Sequence, residues 1–294
     1  MKNFSNKYIF LYSVILVAVV AVLLSIVATS LKDKQQANIR NEKMQSLLKA
    51  INVDVGRDAA ASEYAKYFTQ ELNVNVAGET MDVYDIVAGK MTQGDDANRP
   101  FNINLKSEQK KAENGIEDAR FPVYCYTKDG KTGYVLPMRG TGLWGPVWGY
   151  IALAADCNTV NGVTFDHEGE TPGLGAEITG DKFQKPFIGK QILDSKGIVV
   201  SIAVKKHANP EGIHEVDAIT GGTMTSNGVN AMLATDMARY QNFFDRVLAA
   251  NSADNIKSTA IEGMAVDSAN MLEHEAAGVV DAAVSAMAER KEAK

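Results

Sequence analysis

The stretch DAITGGTMTS, residues 217–226, places two adjacent glycines between threonines, directly ahead of a long amphipathic pattern. Its three threonines are Thr220, Thr223 and Thr225. Gly221 and Gly222 leave the backbone beside Thr223 bare. The N-terminus of a helix carries amides without intrahelical partners, so this stretch can receive a phosphate or another anion. An ordinary capping turn, with hydroxyls satisfying those amides and glycines making the turn, is the interpretation that the stretch by itself favours. Taken alone, the stretch leaves both interpretations open.

The residues that follow the threonines predict a helix packed against a core. Apolar side chains recur at helical spacing at Val229, Met232, Leu233, Met237, Tyr240, Phe244 and Val247. Core packing explains these residues without a cofactor.

Between Phe121 and residue 206, the spacing of apolar and β-branched residues is that of strands rather than of helices. FPVYCYTKDGKTGYVL predicts a hairpin around Asp129-Gly130, and Asn161-Gly162 predicts a second turn. The β-branched run GIVVSIAVKK, residues 197–206, predicts a central strand. The sequence therefore predicts an α/β (α+β) fold, with a twisted, mostly antiparallel sheet flanked by helices.

The N-terminus predicts a membrane anchor. Residues 9–31 form 23 consecutive positions without a charge, and a spanning helix needs about 20 apolar residues. A cleavable signal peptide is the alternative, although its apolar core is usually shorter. After the anchor, residues 32–50 predict a helical stalk with one apolar face, and residues 62–72 predict another short helix.

These segments predict five parts in the chain. They are a short tail at 1–8, a transmembrane helix at 9–31, a stalk and the first part of the soluble body at 32–95, a ligand-binding domain at 96–250, and an alanine-rich extension at 251–294. The extension is expected to be helical or partly disordered, because its composition favours helix without supplying aromatic residues for a core.

Composition and charge exclude several functions. The net charge of −6 argues against nucleic acid as a partner, because nucleic acid selects basic surfaces. No nucleotide-binding glycine fingerprint or hydrolase motif is present. His167 with two neighbouring glutamates lacks further ligands for a metal site, so no metal is expected. Cys125 and Cys157 fit no metal spacing and leave a disulfide and two free thiols equally open.

Two further stretches can border a ligand. In HEGETPGLGAE, residues 167–177, the proline restricts the backbone and the glycines that follow leave it free. This loop can present Thr171, Gly173 and Leu174 to a flat ligand, or it can form a surface turn. RGTGLWGPVWGY, residues 139–150, contains both tryptophans of the chain, Trp144 and Trp148. Trp144 suits the edge of a pocket for a conjugated ring, whereas Trp148 is expected in the core.

Together and in this order, the anchor, GTGLWGPVWGY, HEGETPGLGAE and DAITGGTMTS resemble the C subunits of the bacterial sodium-translocating NADH:quinone oxidoreductases, from residue 1 to about residue 250. The body resembles the FMN-binding domain that this family shares with the G subunit of the Rnf complex. In this family, Asp-x-x-Ser/Thr-Gly-Ala-Thr carries FMN on its last threonine through a phosphoester. Asp217, Thr220, Gly221 and Thr223 match, and Gly222 stands where alanine is usual.

The resemblance implies that Thr223 holds FMN covalently after a flavin transferase has installed it from FAD. Asp217, Thr220, Gly221, Gly222 and Thr225 would then recognise or support the attachment. Contacts with the flavin or its chain are expected from Trp144, Thr171, Gly173 and Leu174.

The resemblance also implies an electron carrier rather than a self-contained catalyst, so no catalytic residue is expected. The chain would work with the other subunits of a membrane NADH:quinone reductase that exports sodium. It would cross the inner membrane once, in contact with lipid, with its flavodomain on the outer, periplasmic side. The lysines flanking the anchor do not indicate that orientation. The G subunit of an Rnf-type complex and a non-redox anchored binding or assembly module remain as alternatives.

Overall fold

The computed structural model describes residues 5–252, in which the body is one seven-stranded sheet flanked by helices. The helices are α1 (Asn6–Ala50), α2 (Ala60–Tyr67), α3 (Leu105–Glu113), α4 (Asp181–Gln184) and α5 (Thr223–Arg239). Short 3-10 turns lie at Arg57–Ala59, Asp96–Asn98, Pro100–Asn102, Gly175–Thr179 and Lys185–Phe187. This unit covers Met1–Gln241. Of the second unit, Asn242–Lys294, the structure describes residues 242–252, which are helical, so nearly all of the extension predicted at 251–294 lies outside the described residues.

The main sheet is antiparallel throughout, with the strand order β3-β2-β1-β4-β5-β6-β7. Its strands are β1 (Phe68–Val74), β2 (Thr80–Asp85), β3 (Lys90–Gln93), β4 (Phe121–Lys128), β5 (Lys131–Thr141), β6 (Pro146–Ala154) and β7 (Val160–His167). A separate parallel pair joins β8 (Ala203–Lys205) to β9 (Glu215–Asp217). The predicted mixed fold with a mostly antiparallel sheet is confirmed, and the hairpin at Asp129-Gly130 joins β4 to β5.

The predicted turn at Asn161-Gly162 is wrong, because both residues lie inside β7. Gly162 is needed there for packing, since a side chain at this position would strike the carbonyl of Ala50. The turn before β7 is instead organised by Asp156, whose carboxylate accepts hydrogen bonds from the amides of Asn158 at 2.9 Å and Thr159 at 2.8 Å.

The predicted central strand at residues 197–206 is also wrong. Only its last part forms β8, a three-residue strand outside the main sheet. Ser201 has a φ of 63°, which interrupts the extended backbone, and Ile198 and Val200 are exposed. Strand β1 takes a central place in the sheet, between β2 and β4. The helix predicted at residues 62–72 therefore ends at Tyr67, and the remainder of that segment is strand.

Helix α1 is continuous from the predicted anchor into the body. Within residues 5–252 it is the one helix long and apolar enough to cross a membrane. Its last turns bury Leu47 and Leu48 completely. They pack in a core with residues from the sheet and α2, namely Tyr64, Phe68, Phe101, Tyr124, Tyr126, Val135 and Ala152.

Helix α5 packs against the opposite face of the sheet. The predicted apolar stripe is buried at Val229, Met232, Leu233 and Met237, which confirms core packing for those residues. The helix ends at Arg239 rather than continuing through Val247, although the chain is helical again from residue 241.

The two cysteines are free thiols. Cys125 lies in β4 and Cys157 in the turn that precedes β7. Burial raises the pKa of each thiol to about 12, so both are protonated and unreactive near neutral pH.

Candidate functional site

Helix α5 begins at Thr223 without a side-chain cap. Its N-cap residue is Gly222, and no hydroxyl accepts from the first helical amides. The Ser226 hydroxyl instead accepts from the amide of Ile219 at 3.0 Å. Among the hydrogen bonds of residues 5–252, none occupies the amides of Thr223, Met224 or Thr225. The capping interpretation therefore fails, and the exposed Thr223 hydroxyl stands at an open, electropositive helix end.

A buried carboxylate connects this helix end to the other two sequence stretches through hydrogen bonds. Glu170 is 5% exposed, and its Oε2 accepts from the Thr225 hydroxyl at 2.5 Å. The other oxygen, Oε1, accepts from the amide of Trp144 at 2.9 Å. One side chain thus joins the residue 139–150 stretch, the residue 167–177 stretch and α5.

Hydrogen bonding keeps Glu170 ionised. Burial alone would raise its pKa, but hydrogen bonds from the Thr225 hydroxyl and from the amides of Trp144 and Leu143 lower it below the ordinary value. The amide of Glu170 also donates to Nδ1 of His167 at 3.2 Å, which fixes the loop that carries the carboxylate.

The backbone of Gly175 passes directly beside this contact. A Cβ at that position would strike both the Thr225 hydroxyl and the carboxylate of Glu170. Gly142 is similarly close to the same carboxylate. Glycine is therefore required where the two loops cross the buried carboxylate.

We expect Gly175→Ala to destabilise the protein by about 2 kcal/mol, because the added methyl must displace Thr225 or Glu170 in a close-packed site. Gly169→Ala is the matched control, since a Cβ at Gly169 meets nothing within 4 Å. Urea unfolding of both variants measures the difference. Equal stability of the two variants would contradict the close approach at Gly175.

Leu174 covers the glycine pair. Gly221 has a φ of 79°, and a Cβ there would lie 2.7 Å from Cδ2 of Leu174. Leu174 remains 43% exposed, so its side chain lies over the turn while still facing solvent. Gly173, with a φ of 75°, allows the preceding turn.

Trp144 stands in solvent at the same end of the molecule. Its side chain is 68% exposed while its amide is held by Glu170. An exposed indole on a fixed backbone is suited to receive a flat ring. Trp148 is half-buried on the other side of the sheet from α5, so the expectation that it lies in the core is only partly met.

The remaining predicted residues lie around this end with separate contacts. The carbonyl of Thr171 accepts from the amides of Leu174 and Ala176, so this residue shapes the loop. Asp217 accepts from the amide of Ala208 at 2.8 Å, which anchors the segment before the glycines. Thr220 is exposed beside Gly221.

Sequence reasoning missed the role of Glu170, having considered it only beside His167 as part of a weak metal site. No group of three or more metal-ligating side chains is found among residues 5–252. The available signal in the sequence was a glutamate within the glycine-rich stretch of residues 167–177. Its burial, which requires hydrogen-bond donors, was not visible in the spacing.

Comparison with known proteins identifies relatives of this chain. A family model described as "FMN-binding domain" matches residues 142–236, which contain the stretches 167–177 and 217–226 and all but the first three residues of the stretch 139–150. The chain is 32% identical over 214 residues to the C subunit of Na(+)-translocating NADH-quinone reductase of Vibrio vulnificus (strain YJ016), covering 72% of this chain and 82% of that protein. It is 33% identical over 239 residues to the Neisseria meningitidis serogroup B protein of the same name, covering 79% and 89%.

Solved structures show the same likeness. The crystal structure of the C subunit of Na(+)-translocating NADH-quinone reductase from Parabacteroides distasonis matches with a TM-score of 0.62 and 35% identity, over 73% of this chain and 96% of that one. Shewanella oneidensis NqrC matches with a TM-score of 0.58 and 29% identity, over 71% and 98%. On its sequence, its fold and its FMN-binding region, the chain belongs to the NqrC family, the C subunits of the Na(+)-translocating NADH-quinone reductases.

Proposed function

We propose that Thr223 carries FMN through a phosphoester and that the chain relays electrons as one subunit of a sodium-exporting NADH:quinone reductase. The observation that carries this proposal is the open start of α5, where an exposed hydroxyl stands among three amides without acceptors.

The residues at this helix end fit FMN. A phosphate on Thr223 would receive the partial positive charge of the helix end and the amides of Met224 and Thr225. Gly221 and Gly222 keep side chains away from the phosphate. Trp144 and Leu174 offer exposed apolar surface for the ring. Thr220 and Asp217 lie on the segment that a transferase would read.

Attachment requires a nucleophilic oxygen that an enzyme can reach. In that reaction the Thr223 Oγ1 would bond to the flavin-bearing phosphorus of FAD while the pyrophosphate bond breaks, so that AMP would leave with the bonding electrons and the hydroxyl proton would be lost. The exposure of Thr223 suits this reaction, whereas the Thr225 hydroxyl is buried and held by Glu170. A flavin transferase would supply the catalytic groups.

Bound FMN supplies reversible redox chemistry, while the protein supplies position and environment. The anchor would hold the carrier at the membrane, where other subunits deliver and remove electrons. Its apolar segment contains no charge that could mark an ion path, so sodium movement would belong to those subunits. We place the flavodomain on the outer, periplasmic side, as in the family.

The proposal is tested with the full-length chain expressed with and without a flavin transferase. With the enzyme, the intact mass should increase by about 440 Da, and the denatured band should fluoresce as flavin. Without it, both signals should be missing. An unmodified chain from cells with active transferase would overturn the covalent attachment.

Protease access tests the proposed orientation. Protease added to spheroplasts should digest the soluble body and leave the anchor, because the body faces outward. The same protease should spare the body in inverted vesicles. The reverse pattern would place the flavodomain in the cytoplasm.

Trp144→Ala separates a ligand role from a structural one. Because the side chain is exposed, the unfolding free energy should change by less than about 0.5 kcal/mol. Fluorescence of the attached flavin should rise, since the indole no longer quenches the ring. Unchanged flavin fluorescence in the folded variant would remove Trp144 from the site.

A further inference from the structure

A second cleft lies away from Thr223, on the sheet face that α1 covers. It has a volume of about 330 Å³ and lies between the C-terminal part of α1, the N-terminus of α3, and strands β5 and β6. We refer to it as the basic cleft; the residues that define it are Lys43, Asn104, Lys106, Arg139, Trp148 and Tyr150. None of the described residues that line it is Asp or Glu.

The sheet register gathers four of its side chains on one face. Arg139 in β5 lies directly opposite Trp148 in β6, and Pro137 lies opposite Tyr150. Because directly opposed residues of antiparallel strands project to the same face, these side chains form one wall. Tyr150 packs against the core cluster that contains the last turns of α1, which fixes this wall on the α1 face.

Lys43 places an ammonium in the basic cleft, and no carboxylate among residues 5–252 forms an ion pair with it. Its Nζ donates to the carbonyl of Phe101 at 2.5 Å and lies 4.5 Å from the centre of that ring. The nearby carboxylate, Glu71, is already engaged by Arg99 at 2.7 and 3.0 Å. Burial therefore dominates over Glu71 and lowers the pKa of Lys43 to about 8. A partly buried cation of this kind is stabilised by an added anion.

The other polar side chains of the basic cleft also have donor groups that are free to bind a ligand. Among residues 5–252, no hydrogen bond or ion pair engages the side-chain nitrogens of Lys106 or Arg139, the indole nitrogen of Trp148 or the hydroxyl of Tyr150. Helix α3, which is capped by Asn104, directs the positive end of its dipole here. The lining itself therefore offers cations and donors without a carboxylate. Carboxylates near the cleft belong to its surroundings: Asp166 lies opposite Trp148 in β7, and Glu42 acts electrostatically on Tyr150.

We infer that the basic cleft binds a phosphate group. The phosphate comes either from free phosphate or from a small phosphate ester that carries an aromatic ring able to stack on Trp148. Two lysines and an arginine that line one cleft, with no carboxylate in its lining, favour a multiply charged oxyanion. A lipid headgroup fits less well. Lys43 lies twelve residues beyond Leu31, where the predicted span ends. That is about 18 Å along the helix, whereas the headgroup layer is only about 5–8 Å thick.

Trp148 provides the measurement. The full-length chain, made without transferase and carrying Trp144→Phe, has Trp148 as its single tryptophan. It is titrated in neutral detergent with inorganic phosphate, with AMP, and with sodium chloride at matched ionic strength. We expect a saturable fluorescence change with phosphate or AMP and none with chloride. Because no flavin is present, failure here leaves the role of Thr223 untouched, and failure at Thr223 leaves this site untouched.

Variants test the residues. Lys43→Met and Arg139→Met should each weaken binding at least about tenfold, because each removes a charged donor. Lys110→Met is the control, since Lys110 is exposed on α3 and does not line the cleft. Should Lys43→Met fail to fold by circular dichroism, Lys106→Met replaces it.

Three results would overturn the inference. One is a fluorescence change that chloride reproduces. Another is an equal loss of affinity in Lys110→Met, which would indicate general charge attraction. The third is a response confined to phosphatidylglycerol vesicles, which would assign the basic cleft to the membrane surface instead.

Discussion

Thr223→Ala should abolish covalent flavin completely. In cells with active flavin transferase, the variant should lack both the mass increment of about 440 Da and the flavin fluorescence of the denatured band. The reason is chemical, because alanine has no oxygen to form the phosphoester. The fold should survive, since the Thr223 side chain is exposed and α5 is not capped by its hydroxyl.

Three variants make this result specific. Thr223→Ser keeps a hydroxyl at the same backbone position and should retain attachment. Thr235→Ala removes an exposed threonine from the same helix and should leave attachment unchanged. Thr225→Val should also retain the increment, because the Thr225 hydroxyl is turned inward toward Glu170 at 2.5 Å. Full modification of Thr223→Ala would move the attachment elsewhere and remove the basis of the proposed relay.

The sequence predicted the parts of the fold that local chemistry determines. Asp129-Gly130 forms its hairpin because the turn residues and the flanking alternation act over neighbouring positions. Asn161-Gly162 carries the same kind of signal but lies in β7, since the space available at Gly162 is set by Ala50, more than a hundred residues earlier. Tertiary packing therefore overrode a valid local signal.

The β-branched run at residues 197–206 failed for a related reason. Such composition describes a side chain that fits a pleated, half-buried surface rather than a backbone obliged to be extended. Here Asp194 accepts from the amide of Ile198 at 2.9 Å, and Ser201 turns the chain at positive φ, so most of the run forms a loop. Strand β1, which lies inside the sheet between β2 and the middle strand β4, follows directly on α2, and the helical pattern predicted for residues 62–72 masked it.

In the candidate site, too, some features follow from local sequence and others depend on tertiary packing. The glycines and threonines of residues 217–226 could be singled out in the sequence because they are contiguous. The choice between a capped and an open helix end could not, since it depends on where each hydroxyl turns. Thr225 and Ser226 both turn away from the first helical amides, toward Glu170 and Ile219. That arrangement gives Thr223 its separate role.

Glu170→Ala should produce the largest loss of stability among the site variants, about 4 kcal/mol. It leaves the buried Thr225 hydroxyl without an acceptor, which costs about 1–3 kcal/mol, and it also removes the acceptor for the partly buried amides of Trp144 and Leu143. Glu170→Gln should lose about 1 kcal/mol, because one amide oxygen still faces the backbone donors. Glu168→Gln, at an exposed position in the same loop, is the matched control and should unfold like the parent.

The pH dependence distinguishes the charge of Glu170 from its shape. Because hydrogen bonds lower its pKa in the folded protein, the carboxylate stabilises the fold above the unfolded pKa of about 4.3. That stabilisation is lost as the pH falls through the folded pKa. The stability gap between parent and Glu170→Gln should therefore be constant near neutral pH and should close in acid. A gap that persists at low pH would mean that packing, rather than the ionised carboxylate, joins the two loops to α5.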